Sequence, residues 1–383
     1  MTLAVYEWRK LFCLPALWGF LLVCLVFNWY LIGSNAYTRE PFNQVSTATA
    51  ELGQRVDGVF LDKLSTQPSS ELQNALAEIA TAMENIYESY DVTVLTQIYQ
   101  ARVADSPLAS DWVAWKYRLL EQRVEHLAQT GAAMDLYAGP WNDQTHSSFQ
   151  FLFGGLLRAI LAEAAALGML STLYLFGYED LTRTGQQIYS SRVGRRLCWI
   201  KVCSGLAAGL VLYALLALLT LLPYFALWDY SGIWDASVSG QFNYLLEFMI
   251  RRPFLTWADF TVAGYLAAAL ALGGCLTAVF CLLAAVCGVF VRNIYLSALT
   301  LILICLGLLT AISLCATLKW WPLYFVFAFQ PVLVWLSSGA WFTEMGLNGA
   351  VPWQETTAVG LNLAVLSLGT ALALRRFSRK DVL

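Results

Sequence analysis

Arg183, Arg192, Arg195, Arg196 and Lys201 crowd into one stretch, YEDLTRTGQQIYSSRVGRRLCWIK from Tyr178 to Lys201, against only Glu179 and Asp180. Acids come first and bases last, the order that suits a helix dipole. Gly185 is expected to divide the stretch into two short amphipathic pieces lying at a membrane surface. Their apolar contacts would be Leu181, Ile188, Tyr189, Val193 and Leu197. Such a cluster does electrostatic work: it fixes topology as an ordinary basic loop, or it docks a cytoplasmic partner.

Bond-making chemistry has few candidates. His126 and His146 are the only histidines, and neither sits in an H-E-x-x-H array or beside a cysteine nucleophile. There is no G-x-x-x-x-G-K-[ST] for phosphate and no G-x-S-x-G elbow. Cys275, Cys281 and Cys287 recur every six residues, which rotates off any one helix face, so they read as small buried apolar groups. No catalytic, cofactor or metal role is expected for this chain. Two ionisable residues do stand inside an apolar run, Arg158 and Glu163. Five positions apart means about 140° of rotation on a helix, so they do not share a face. Either each is satisfied by interhelical hydrogen bonds, or they mark a polar path or subunit interface.

The elements that must position these residues follow from composition. At 58% hydrophobic, 13% charged and a mean hydropathy of +0.59, the chain reads as an all-α integral membrane protein. No basic patch stands outside the membrane-flanking positions, so nucleic acid is not an expected partner, whereas lipid is. Fifteen of the 26 acids fall between Ala36 and Gln150, which sets that segment apart as a separate polar domain.

Six spans are expected: 14–33, 151–176, 202–227, 258–291, 294–317 and 356–374. Arg9 and Lys10 before the first, the 177–201 stretch, and Arg375, Arg376, Arg379 and Lys380 after the last put both termini in the cytoplasm. Residues 1–13 form an amphipathic cytoplasmic helix, and no small-residue cleavage site follows. Arg251 and Arg252 lie against the charge rule in the external loop 228–257, accompanied by Asp235 and Glu247.

Residues 34–150 read as an extracytoplasmic bundle of three helices, near 45–59, 72–101 and 111–129, with a capping box at Ser70 and Gln73 and a Gly139-Pro140 turn. It has no cysteine and must hold itself by packing. Residues 318–353 are apolar but interrupted by Pro331, Gly339, Gly346, Gly349 and Pro352, so they read as a re-entrant external segment rather than a span. The tail is 375–383.

Glu179, then Gly185, Ser191-Arg192 and Lys201 opening the next apolar span resemble the segment between spans two and three of type-2 ABC transporter permeases. The family has Gly-Thr where Gly185 here is followed by Gln186 and preceded by Thr184. Short re-entrant helices between spans five and six are a further point of resemblance. The likeness implies that 177–201 is a coupling helix docked on a separate ATP-binding subunit, which would hold ATP and Mg. Glu179, Asp180, Arg183, Gly185, Ser191, Arg192, Arg195 and Arg196 would form that docking surface, with Glu179 as salt bridge or cap and Gly185 as hinge. It further implies a multi-pass plasma-membrane permease subunit, paired as a homo- or heterodimer. Spans one, two and five would line an export route for a hydrophobic or amphipathic peptide, lipid, drug or antibiotic. Without an internal repeat or a twelve-span length, a self-sufficient secondary transporter is disfavoured. The rival class is a membrane sensor whose external domain binds a ligand.

Overall fold

The computed structural model describes residues 3–66, 71–137, 148–190, 194, 197–240, 244–245, 251–291 and 293–379. Six helices are long and apolar enough to cross a membrane: Pro15–Ser34, Gln150–Leu181, Leu197–Leu227, Val262–Phe290, Ile294–Thr317 and Gln354–Arg376. In chain order the helices are α1 (Leu3–Phe12), α2 (Pro15–Ser34), α3 (Arg39–Leu52), α4 (Gly58–Thr66), α5 (Glu71–Ala82), α6 (Val92–Arg102) and α7 (Pro107–Thr130). Then follow α8 (Leu157–Leu181), α9 (Gly185–Ser190), α10 (Leu197–Leu227), α11 (Val262–Phe290), α12 (Ile294–Thr317), α13 (Trp321–Phe327), α14 (Pro331–Leu336) and α15 (Gln354–Arg379). One small antiparallel ribbon, Tyr244–Leu245 with Arg251–Arg252, is the exception to an otherwise helical chain among the described residues.

Local chemistry sets the boundaries. Pro15 and Pro107 occupy first-turn positions where their missing N–H costs nothing. Thr261 accepts from Gly264 N and starts the fourth span three residues after its first apolar position, Ala258. Asn293 accepts from the amides of Tyr295 and Leu296 and starts the fifth. The second span opens with a π-turn over Gln150–Leu156, then runs unbroken through Leu181, well past the expected end at 176.

The second span is the centre of the bundle. Where it crosses α10 and α11, Gly168, Gly209 and Cys281 leave no room: a methyl added at Gly168 would lie 2.6 Å from Cys281 Sγ, and one at Gly209 would lie 2.5 Å from it. Nearby, Gly205 faces Thr172 of α8 and Gly273 faces Leu161 and the Tyr213 hydroxyl. Small residues let the three backbones approach, the usual means of packing helices in lipid. The first span adds a one-sided stripe, Leu17, Leu21, Cys24, Leu25, Asn28 and Ile32. The fifth, α12, has only Ser297, Leu301, Ile312 and Cys315 buried and presents the rest of its surface outward. Leu374, late in α15, packs with Phe176 and Cys198, so the C-terminal end lies beside the end of α8.

The polar domain departs from three helices. Five are present among the described residues, because the expected helix 45–59 is split after Leu52 and the periodic run 72–101 is broken between Ala82 and Asp91, where the Asp91 carboxylate caps the next helix through Thr93 N (2.8 Å). Gly53, at φ 117°, ends α3, and Gly131, at φ 64°, ends α7. Nor is the domain self-contained. Val45, Leu52, Phe60, Leu64 and Leu76 form one core, but Tyr99, Tyr117 and Leu120 share another with Trp321, Phe325 and Leu347. The segment 318–353 holds α13 and α14, each about 10 Å long, too short to span. Ser70, Gly139, Pro140, His146, Arg292 and Lys380 lie outside the described residues.

If the triple crossing governs stability, Gly209→Leu lowers the thermal unfolding temperature of the purified protein, on the scale of about 1–3 kcal/mol of overpacking. Gly307→Leu, with nothing within 4 Å of the added carbon, leaves it unchanged.

Candidate coupling and pathway sites

The sequence places Glu179 in a loop, but the helix carries it inward. It sits in the last turn of α8, 1% exposed, between two ammonium groups. Lys10 of α1 donates to Glu179 Oε1 at 3.1 Å and to Glu7 Oε1 at 2.6 Å, while Lys201 of α10, fully buried, donates to Glu179 Oε2. Two carboxylates and two ammoniums thus form a neutral node joining α1, α8 and α10. Aromatic faces cover it: Lys10 lies 4.5 Å from the Tyr178 ring centroid and Lys201 lies 5.9 Å from that of Phe176. Burial works against the charge on Lys10, yet its bonds to Glu7 and Glu179 outweigh this and hold its pKa above the ordinary lysine value.

Beyond Glu179 the chain turns outward. Asp180 is exposed, and Arg183 adopts φ 55° in the tight turn that closes with Thr184 N donating to Glu179 O (2.9 Å). The break therefore falls at Thr182–Thr184, and Gly185 is the first residue of α9 rather than the hinge. Leu181 is exposed. Ser191, Arg192, Val193, Arg195 and Arg196 lie outside the described residues.

A second polar constellation lies toward the other end of the same helix. Asn28 of α2, fully buried, donates to Glu163 Oε2 at 2.7 Å and to Thr220 Oγ1 of α10 at 3.1 Å. Glu163 and Glu179 stand sixteen residues apart on α8, hence about 24 Å along one rigid axis. Arg158 takes no part. It is half-buried on another face, its carbonyl accepts from Trp335 Nε1 at 2.9 Å, and its own Nε has no hydrogen-bond partner among the described residues.

A third pin ties the polar domain to the segment 318–353. Lys116 of α7, 2% exposed, donates to the carbonyls of Glu344, Gly346 and Gly349 at 2.5, 2.6 and 2.8 Å. Glu344 Oε2 lies 3.6 Å from the same ammonium and accepts from the Tyr117 hydroxyl (2.9 Å) and Gly346 N (2.8 Å). Arg123 and His126 of α7 both reach Asp259 beside the fourth span, at 2.6 and 2.8 Å. Asp259 is somewhat desolvated, but the bonds from Arg123 and His126 prevail and lower its pKa. His126 thus helps to tether α7 to the segment before the fourth span.

Sequence reasoning missed Glu7, Asn28, Lys116, Thr220 and Glu344. The signals were weak but present: Asn28 is the one amide within the first apolar run, and Glu7 and Lys10 share a helix face at i, i+3. No metal-ligating group of three or more His, Cys, Asp or Glu occurs among the described residues. Comparison with family models, with curated proteins and with solved structures finds no match for this chain.

Removing one partner of a buried ion pair costs about 3–5 kcal/mol. Glu179→Gln should accordingly destabilise the bundle on that scale in thermal unfolding, and adding Lys201→Met should recover part of the loss by deleting the stranded ammonium. The raised pKa of Lys10 gives a sign for pH: its stabilisation is complete below the unfolded lysine value near 10.4 and disappears as pH rises through the higher folded value. Proteolysis of α1 should thus accelerate only above about pH 10.5, before the spans unfold.

Proposed function

We propose that this chain is the membrane-spanning subunit of an ATP-driven exporter of the type-2 ABC kind, working as a dimer in the plasma membrane with separate ATP-binding subunits. The observation that carries this reading is the Glu179 node, which joins the helix entering the basic segment to the helix leaving it and to α1. Force applied to the segment between them reaches three helices at once. A loop that served only to fix topology needs surface cations, not a buried carboxylate shared by two ammoniums.

In this account Asp180, Arg183 and the cations from Arg192 to Arg196 face the ATP-binding partner, and Glu179 sits behind them as a positioning residue. ATP and Mg belong to the partner. ATP binding there closes two subunits beneath the permease dimer. The motion enters through α9, passes the node, and tilts α8 as a rod whose far end carries Glu163. The polar domain, pinned through Lys116 and Asp259 at the end of the bundle away from the Glu179 node, shields the exit for a hydrophobic or amphipathic cargo. Both termini are then cytoplasmic and the domain extracytoplasmic.

Co-purification from the native membrane is expected to bring down a soluble ATP-hydrolysing protein. Arg183→Glu and Asp180→Arg together should reduce that association at least tenfold while the thermal unfolding temperature stays unchanged, because both side chains are exposed. A partner that lacks nucleotide-hydrolysing activity, or association untouched by both substitutions, contradicts the proposal.

A further inference from the structure

We propose that Glu163, held by Asn28, which is itself anchored on Thr220, is the subsite that receives the positively charged group of an amphiphilic cargo. Its role as a cargo site rests on the transport reading above. The argument begins with an imbalance of acceptors. A carboxylate accepts up to about four hydrogen bonds, yet the side chain of Glu163 takes its one bond from Asn28, on Oε2. No Lys, Arg or His forms an ion pair with it among the described residues. Arg158, on the same helix, is turned to another face with an unpartnered Nε of its own. Glu179 is matched by two ammoniums and Glu344 by one; Glu355, fully buried at the start of α15, also has no ion-pair partner among the described residues but is closed off, whereas Glu163 is partly exposed.

The support beneath Glu163 is built. Asn28 is fully buried and directs its two amide hydrogens to two different helices, which orients the carboxylate from α2 and α10 at once. The same amide's Oδ1 is buried and accepts nothing among the described residues, a second acceptor vacancy next to the first. Glu163 itself is only half-covered, so one side of the carboxylate is open. Trp29, the residue after Asn28, donates to the carbonyl of Leu219, next to Thr220, and leaves about half of its surface (49%) exposed. Asn28 lies six residues from the end of α2, about 9 Å in from the bundle end that carries the polar domain. A partly exposed carboxylate with no cation partner at this depth suits a compact cation joined to a hydrocarbon body, through charge and hydrogen bonding. A cargo without a hydrogen-bond donor leaves both acceptors unmatched, and a neutral donor leaves the carboxylate without a counter-charge.

The test uses the full chain alone in phosphatidylcholine nanodiscs, with two isosteric probes at pH 7, adamantane-1-ammonium and adamantan-1-ol. Equilibrium binding should favour the ammonium by about tenfold or more. Glu163→Gln should erase that preference without changing affinity for the alcohol, and Glu163→Asp should retain it. Equal affinity for the two probes in the native chain overturns the proposal, and means that a proton or a neighbouring subunit satisfies the carboxylate. A preference that survives Glu163→Gln, or a Glu163→Gln chain that loses both probes together, also overturns it. The readout needs no ATP-binding protein. A chain that prefers the cation but has no hydrolase partner would refute the exporter reading while leaving the subsite standing.

Discussion

A single carboxylate shared by two ammoniums, Glu179 between Lys10 and Lys201, sets the terms for the rest of the bundle. None of the three charges can leave without stranding the others in an environment that penalises them. The N-terminal helix, which has apolar Leu11 buried but little other hydrophobic anchorage, is thereby fixed against the ends of α8 and α10. Glu7 completes the neutral set, so the node holds together without a counter-ion from solvent. Because α8 is continuous from here to its π-turn, displacement at this end is transmitted along its length rather than absorbed.

The opposite end repeats the principle with different chemistry. Lys116 takes three carbonyls and a carboxylate, so the ammonium occupies the kind of oxygen cage in which a metal ion would also be stable, but on a tether that belongs to α7. Its effect is to make the polar domain and the segment 318–353 one body with a shared core of Tyr117, Trp321 and Phe325. The bundle is held at both ends by buried ions and in the middle by close contact at Gly168, Gly209 and Cys281. Between the two ionic ends stands Glu163, whose side chain takes its bond from the amide of Asn28 and has no ion-pair partner among the described residues.

Much of this architecture was legible in the residues. Six long apolar runs gave six long helices, because length and hydropathy leave no other way to satisfy the backbone in lipid. Pro107, Asn293 and the glycine- and proline-broken stretch after Thr317 marked boundaries where they occur. Other features needed three dimensions. Helix periodicity ran straight through 83–90 because apolar residues there keep the spacing, yet α5 stops at Ala82 and Asp91 caps the start of a new helix. Glu179 looked like a surface acid because its partners are 169 and 22 residues away. Lys116 reads as one of many cations on an amphipathic helix, and only a sharp turn at Met345 and Gly346 brings carbonyls to it. Long-range pairing of charges has no local period, so composition and spacing do not reveal it.

The central claim is that α1 and the end of α8 move as one unit when nucleotide acts below. Spin labels at exposed Tyr6 and Asp180 report this directly, by pulsed distance measurement in nanodiscs with the ATP-binding partner, with and without a trapped nucleotide. An unchanged distribution between these two labels, together with a shifted distance between the Asp180 labels of the two permease copies, is the predicted result. A Tyr6–Asp180 distance that itself changes with nucleotide would mean that the ionic node opens during the cycle, and it would contradict the account.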